Sequence, residues 1–332
     1  MATYDVLCIG NAIVDILSRS DDAFLQTNGI VKGAMNLIDA DRAELLYKRI
    51  NGAVTEMSGG SASNTAAGIA SLGGRSAYFG KVATDHLGRV FAHDIRAQGV
   101  AFDTRPLEGD KIPTARCMIF VTPDGERSMN TYLGACVELG PEDIEASKVA
   151  EAKVTYFEGY LWDPPRAKEA IVMASKIAHD AGRKMAMTLS DPFCVDRYRD
   201  EFLDLMRKKT VDIVFANEDE AKSLYKTASL ETAIAAMRMD CGLSVITRSE
   251  KGAVVVTPKE TIEVPAIAID ELVDTTGAGD LFAAGFLYGL TQERPLKECA
   301  ELGALAAGVI IQQMGPRPQA SLKDAAKQAG LA

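Results

Sequence analysis

Along most of the chain, short apolar runs of strand length alternate with stretches of helical periodicity, and this alternation narrows the possible folds more than any other feature. YDVLCIGN, SAYFGKV, VTYFEGY, KMAMTLSD, VDIVFAN and LSVITRS are runs bounded by turn residues. PRAKEAIVMASKIAHDAG and EDEAKSLYKTASLETAIAAMRMD carry the helical repeat. Strands that are apolar on both faces belong in a parallel sheet covered by helices on both sides. The expectation is an α/β fold with a doubly wound, mostly parallel sheet. A chain of 332 residues, 47% hydrophobic and 25% charged, supplies the core for one such domain over residues 1–332.

Two stretches interrupt the pattern. Residues 112–133, IPTARCMIFVTPDGERSMNTYL, read as strand, turn and strand. Residues 16–40 are irregular, with KGAMNLID as a short strand. Together they predict a small β lid, from about 16–40 and 112–133, inserted into the larger domain and placed to cover a site.

The formal charge of -10 and the absence of clustered Lys and Arg exclude a nucleic-acid surface. The six cysteines are far apart and form no CxxC pair, so neither a disulfide framework nor a zinc site is expected. The start MATYDVLCIG has no leader pattern, and runs such as ALAAGVII are too short for a bilayer. The expected location is a reducing cytoplasm, with no membrane partner. FGKV at residues 79–82 is no P-loop, because Arg75 and Val82 stand where Gly and Ser or Thr are required. His86, His93 and His179 lack metal-ligand spacing.

Chemistry concentrates in VDTTGAGDLFAAGFLYGL, residues 273–290. Gly277, Ala278 and Gly279 lead into an apolar helix, so free backbone amides and the positive helix end form an anion cradle. Asp280 falls in the first turn, where it can take a proton from a hydroxyl beside the anion. The plain alternative is a tight turn followed by a helix-start acid. Elsewhere, GGSASNTAAGIASLGG (residues 59–74) makes a second glycine-rich helix entry with Ser63 and Asn64. Asn11 and Asp15 follow the first strand and form an amide and carboxylate pair suited to vicinal hydroxyls. Asn217 and Glu220 end another strand and suit Mg²⁺-bound water and phosphate, or simply a helix cap. Tyr160, Trp162 and Phe193 are candidates to stack on a base, although aromatic residues at strand ends more often belong to the core.

Asp274-Thr275-Thr276-Gly277-Ala278-Gly279-Asp280 resembles the C-terminal signature of the ribokinase-like (PfkB) carbohydrate kinases. Gly59-Gly60 with Asn64 resembles that family's N-terminal glycine motif, and Asn217-x-x-Glu220 resembles its NxxE motif. The three occur in the family's order and span nearly the whole chain. The head GNAIVDI and the hairpin ending GERSMNTYLGA are similar to the adenosine kinases within it. The resemblance implies a ribokinase-like fold and ATP-dependent phosphorylation of the 5′-hydroxyl of adenosine to AMP. Another nucleoside, a free sugar such as ribose or fructose, or a catalytically silent sensor are the alternatives. By the same resemblance Asn11, Asp15, Gly59, Gly60 and Asn64 would hold the acceptor and Asp280 would be the base. The Gly277–Gly279 cradle and Arg127 would receive the transferred phosphoryl group. Asn217, Thr247, Gly252, Gly277 and Gly279 would contact ATP. Mg²⁺ would lie near Asn217 and Glu220 through water, and a monovalent cation near Asp274. The chain would act as a monomer or homodimer on a small molecule. It departs from the family pattern at Ala83, within Lys81-Val82-Ala83-Thr84-Asp85-His86-Leu87-Gly88, and at Ser249, each standing where a glycine is usual. A dinucleotide-dependent oxidoreductase is excluded, because the first strand runs into Gly10-Asn11-Ala12 without GxGxxG.

Overall fold

A computed structural model describes residues 2–331 apart from 51 and 110. Its thirteen strands are β1 Tyr4–Ile9, β2 Ile13–Arg19, β3 Met35–Leu37, β4 Val54–Gly59, β5 Ser76–Phe79, β6 Ala115–Val121, β7 Arg127–Tyr132, β8 Ala152–Glu158, β9 Lys184–Thr188, β10 Ile213–Asn217, β11 Leu243–Thr247, β12 Ala253–Val256 and β13 Thr261–Val264. Eight of them form one sheet in the order β13-β12-β11-β10-β9-β8-β1-β5. All neighbours from β11 to β5 run parallel, and the β12–β13 hairpin adds an antiparallel edge.

The uninterrupted apolar strands are explained by burial on both faces. In β1, Val6 and Cys8 enter one core with Ala62 and Leu281, while Leu7 and Ile9 enter the other with Ala170 and Ile171. The chain leaves β1 toward β5 on one side and later returns to β8 on the other. The strand order therefore reverses at β1, and ligands of such sheets bind in the crevice at the C-terminal strand ends beside that reversal. Asn11, Glu158, Asn217 and Thr247 all stand at that edge, at the ends of β1, β8, β10 and β11 or just beyond.

The helix Ala278–Thr291 is packed between Ser61–Ser71 and Leu296–Ile310, and its small residues reflect the closeness of those contacts. A Cβ on Gly68 would lie 2.6 Å from Leu281 Cδ1 and 2.7 Å from Ala284 Cβ, and one on Gly303 would lie 2.8 Å from the Phe282 carbonyl. The stretch at residues 218–240, continuous in its periodicity, is two helices, Glu218–Leu224 and Leu230–Asp240. Lys226 takes a left-handed φ of 49° and Ser229 caps the second helix, so a local turn separates the two.

A second, five-stranded sheet has the order β3-β7-β6-β2-β4. It uses residues 13–19 and 54–59 besides the hairpin and the short strand, and is thus wider than the two irregular stretches. One of its faces packs Met118 and Phe120 on Leu25, Ala43 and Leu46 of the helices Asp22–Thr27 and Ala40–Arg49. The register assigns the opposite face to two rows: Met57, Asp15, Cys117, Thr131 and Leu37, then Thr55, Leu17, Ile119, Met129 and Met35. β1 and β2 are separated only by Gly10, Asn11 and Ala12, so Asp15 projects from the second sheet directly beside the end of the first.

Candidate active site

Asp280 lies in the first turn of Ala278–Thr291, and two residues of the glycine motif hold its carboxylate. Oδ1 accepts from Ser61 Oγ at 2.6 Å and Oδ2 from Asn64 Nδ2 at 2.8 Å. Burial raises its pKa above the usual carboxylate range, while the Ser61 and Asn64 hydrogen bonds and the Arg317 charge oppose that rise. The Asn64 Oδ1 atom is buried without a partner among the described residues.

Gly277 caps the same helix at φ 80°, a left-handed conformation in which a Cβ would also lie 2.7 Å from Pro316 Cβ. Ala278 N donates to the Thr275 carbonyl, whereas the amides of Gly277, Gly279 and Asp280 have no acceptor among the described residues. A Cβ on Gly279 would meet nothing within 4 Å. These free amides and the open space above them fit an anion.

Gly60 caps Ser61–Ser71 at φ 93° and abuts the Asn11 carbonyl; Gly59 abuts the Asp15 carboxylate. Asn11, Asp15, Gly59, Gly60, Asn64 and Asp280 are thereby gathered into one crevice. Burial pushes the Asp15 pKa up to about 6 against the pull of Arg317 and Arg127. Glu158, which sequence reasoning missed, ties the crevice together from behind. Its oxygens accept from Asn11 N at 3.0 Å and Ala62 N at 2.9 Å, and burial pushes its pKa up to about 7. Its only signal was a charge at the end of the apolar run VTYFEGY. Ser61 and Arg317 were also missed.

Arg127, at the start of β7, crosses from the second sheet to the cradle loop. Its Nη1 bonds the Asp274 carboxylate and lies 3.1 Å from Thr276 Oγ1. Its Nε and Nη2 are buried with no partner among the described residues, so both are left unspent. Asp274, the residue associated by resemblance with a monovalent cation, also accepts from Thr276 N at 3.0 Å, Thr276 Oγ1 at 2.7 Å and Gly315 N at 2.9 Å. Its carboxylate is already paired with the Arg127 cation.

On the far side of the cradle lies a cavity of about 570 Å³ lined by Thr247, Ser249, Gly252, Ile267, Ala304 and Gly308, and bounded by Ala278 and Gly279. Ser249 stands at φ 52° and itself adopts the left-handed backbone, so the missing glycine is accommodated by strain at that residue. Asn217 and Glu220 form a capping box. Asn217 Nδ2 donates to Oε1 at 2.7 Å and its amide to Oε2 at 2.9 Å, and burial pushes the Glu220 pKa up to about 7. Both Glu220 oxygens are thus engaged. Among the described residues no group of three or more His, Cys, Asp or Glu is placed to hold a metal ion. A Mg²⁺ ion at this site would have to be carried mainly by phosphates and water.

The aromatic candidates do not converge on the crevice. Trp162 is core, packed on Phe157 and Phe202 with its Nε1 donating to Glu201 at 2.7 Å. Phe193 is 78% exposed, and Tyr160 is half-buried near Ser190. His86 and His179 pair with Glu56 and Asp212. All six cysteines are buried and free, and among the described residues no helix is long and apolar enough to cross a membrane.

Residues 27–323 match the model of the pfkB family of carbohydrate kinases. The chain belongs to that family. It is a phosphotransferase acting on an alcohol group, and family membership implies ATP as the donor. Among pfkB relatives, adenosine kinase 2 of Arabidopsis thaliana is 29% identical over 344 residues, covering 95% of this chain and 96% of its own. Two solved structures are each 66% identical. The adenosine kinase of Sinorhizobium meliloti has a TM-score of 0.92 and covers 99% of this chain and 100% of its own. A probable sugar kinase of Rhizobium etli has a TM-score of 0.93 and covers 100% of both chains. The pfkB fold is common to both, so the acceptor has to be argued from this chain's own site.

Proposed function

We propose that the chain transfers the γ-phosphoryl group of ATP to the 5′-hydroxyl of adenosine, giving AMP and ADP. The observation that carries this reading is the face of the second sheet that bears Asp15. One carboxylate, beside Asn11 and the glycine motif, suits the ribose hydroxyls. The Leu17, Cys117, Ile119, Met129, Met35 and Leu37 side chains on the same face form an apolar wall for which a free sugar has no use and a purine does. The relatives described as adenosine kinases add support.

In this reading Asp280 accepts the 5′-hydroxyl proton as that oxygen attacks the γ-phosphorus and the bond to the ADP oxygen breaks. Ser61 and Asn64 fix the carboxylate's orientation, and its raised pKa makes it a stronger base than a solvated aspartate. The free amides of Gly277, Gly279 and Asp280 receive the charge on the transferring group, with Arg127 Nε and Nη2 beside them. Thr247 and Gly252 line the donor side with the apolar cavity. Mg²⁺, with waters reaching toward Asn217 and Glu220, would neutralise charge on the phosphates.

The test is ADP release with Mg·ATP and a panel of adenosine, inosine, guanosine, cytidine, ribose and fructose. Adenosine is expected to be the preferred acceptor. Turnover of the free sugars alone would overturn the adenosine reading and leave the family untouched.

A further inference from the structure

Arg317 lies outside every motif, within GPRPQ, yet its guanidinium is buried at the back of the acceptor crevice, where it is 8% exposed. Nε donates to the Ser58 carbonyl at 3.0 Å, Nη1 to the Ser63 carbonyl at 2.6 Å and Gln98 Oε1 at 3.2 Å, and Nη2 to Ser63 Oγ at 2.8 Å. Every one of these acceptors is neutral. Ser63 Oγ in turn donates to the Gly60 carbonyl at 3.0 Å, and Asp94 holds the other side of Ser58 through its amide at 2.7 Å. The turn at residues 58–64 is therefore clamped from both sides, and from it Ser61 and Asn64 reach Asp280.

A buried cation is costly unless negative charge lies nearby. The groups facing Arg317 are Asp94 from the helix His86–Ala97, Asp15 from β2, Tyr78 from β5 and Asp280. The groups facing Asp280, apart from Arg317, are Cys8 from β1, Tyr156 and Glu158 from β8, and Glu220 from Glu218–Leu224. Each of these is neutral or a carboxylate. Arg317 is the cation that offsets them.

We propose that Arg317 is a positioning residue for phosphoryl transfer, fixing the 58–64 turn that anchors Asp280 and supplying the buried positive charge that keeps Asp280 ionised and ready to accept a proton. The inference rests on the reading of Asp280 as the base. An ionised base loses activity as pH falls through its pKa. Taking away a nearby positive charge raises that pKa and moves the acid limb of the rate profile upward.

The experiment is the pH dependence of kcat/KM for adenosine with Mg·ATP in Arg317→Met, Arg317→Lys, Gln98→Glu, Ser63→Ala and Asp280→Asn. Arg317→Met is expected to move the acid limb up by about one pH unit. Gln98→Glu, which places a carboxylate against Nη1 without deleting the arginine, moves it in the same direction and decides the matter alone if Arg317→Met does not fold. Arg317→Lys keeps the wild-type limb, and Ser63→Ala lowers the rate without moving it. Limbs in Arg317→Met and Gln98→Glu that stay at the wild-type position, with only the amplitude reduced, would overturn the inference. Wild-type turnover in Asp280→Asn would instead overturn the base assignment.

Discussion

The two halves of the crevice are built from different materials. The acceptor half is dense with fixed charge: Asp15, Asp280, Glu158 and Arg317 lie within or directly behind it, and Ser61 and Asn64 hold Asp280 by hydrogen bonds. The donor half, beyond Gly279, is a cavity of about 570 Å³ lined largely by backbone and small or aliphatic side chains such as Ile267, Ala304 and Gly308. Chemistry that must discriminate and deprotonate one hydroxyl requires preorganised charge. Holding a nucleotide whose phosphates do the work requires shape and free amides. Substitutions should therefore act steeply and with pH on the first half, and mildly and without pH on the second.

The largest effect is expected at the boundary. Asp280→Asn should lower kcat by about 10²–10⁴-fold with little change in acceptor affinity, measured by steady-state rates and direct binding. Near wild-type turnover would break the contrast outright. Next is Asp15→Asn, expected to weaken acceptor binding by roughly tenfold or more, as for a lost charged hydrogen bond. The same change should stabilise the protein. Burial raises the Asp15 pKa to about 6, so the wild type loses stability as pH rises from about 4 toward 6 while Asn does not. The Tm gain should be absent near pH 4 and full above pH 6; a gain independent of pH would refute that cause. Gly277→Ala, which forces a left-handed alanine against Pro316, should cost roughly tenfold in kcat. Gly308→Ala is the mildest. Its Cβ would press on Ile267, so a KM for ATP raised only a few-fold, with the adenosine KM unchanged, is the outcome that sharpens the comparison.

The same contrast separates what the sequence reveals from what it hides. Strands buried on both faces announce themselves as continuous apolar runs, so β8 to β11 are readable directly. Glycine-rich helix entries also show, because Gly60 and Gly277 sit where only a left-handed backbone fits. Glu158 and Arg317 do not show. Their partners, Asn11, Ala62, Ser58 and Ser63, lie roughly a hundred to two hundred and fifty residues away, and no local periodicity encodes a contact over that separation. The aromatic residues stayed ambiguous for the converse reason. A strand-end tryptophan looks the same in sequence whether it meets a ligand or, like Trp162, packs on Phe157. The split between Glu218–Leu224 and Leu230–Asp240 was hidden because the turn that parts them contains neither Gly nor Pro.

The glycine contacts along Ala278–Thr291 also act as a ruler. A slip of this helix by one residue against its neighbours would carry Asp280 about 1.5 Å along the axis. An error of about 1 Å in a reacting group is enough to cost about 10²-fold in rate. Gly68 against Leu281 and Ala284, and Gly303 against Phe282, leave no space for such a slip. The distance between base and acceptor is thus set by backbones meeting well behind the crevice, and small residues far from any ligand carry a share of the catalytic tolerance.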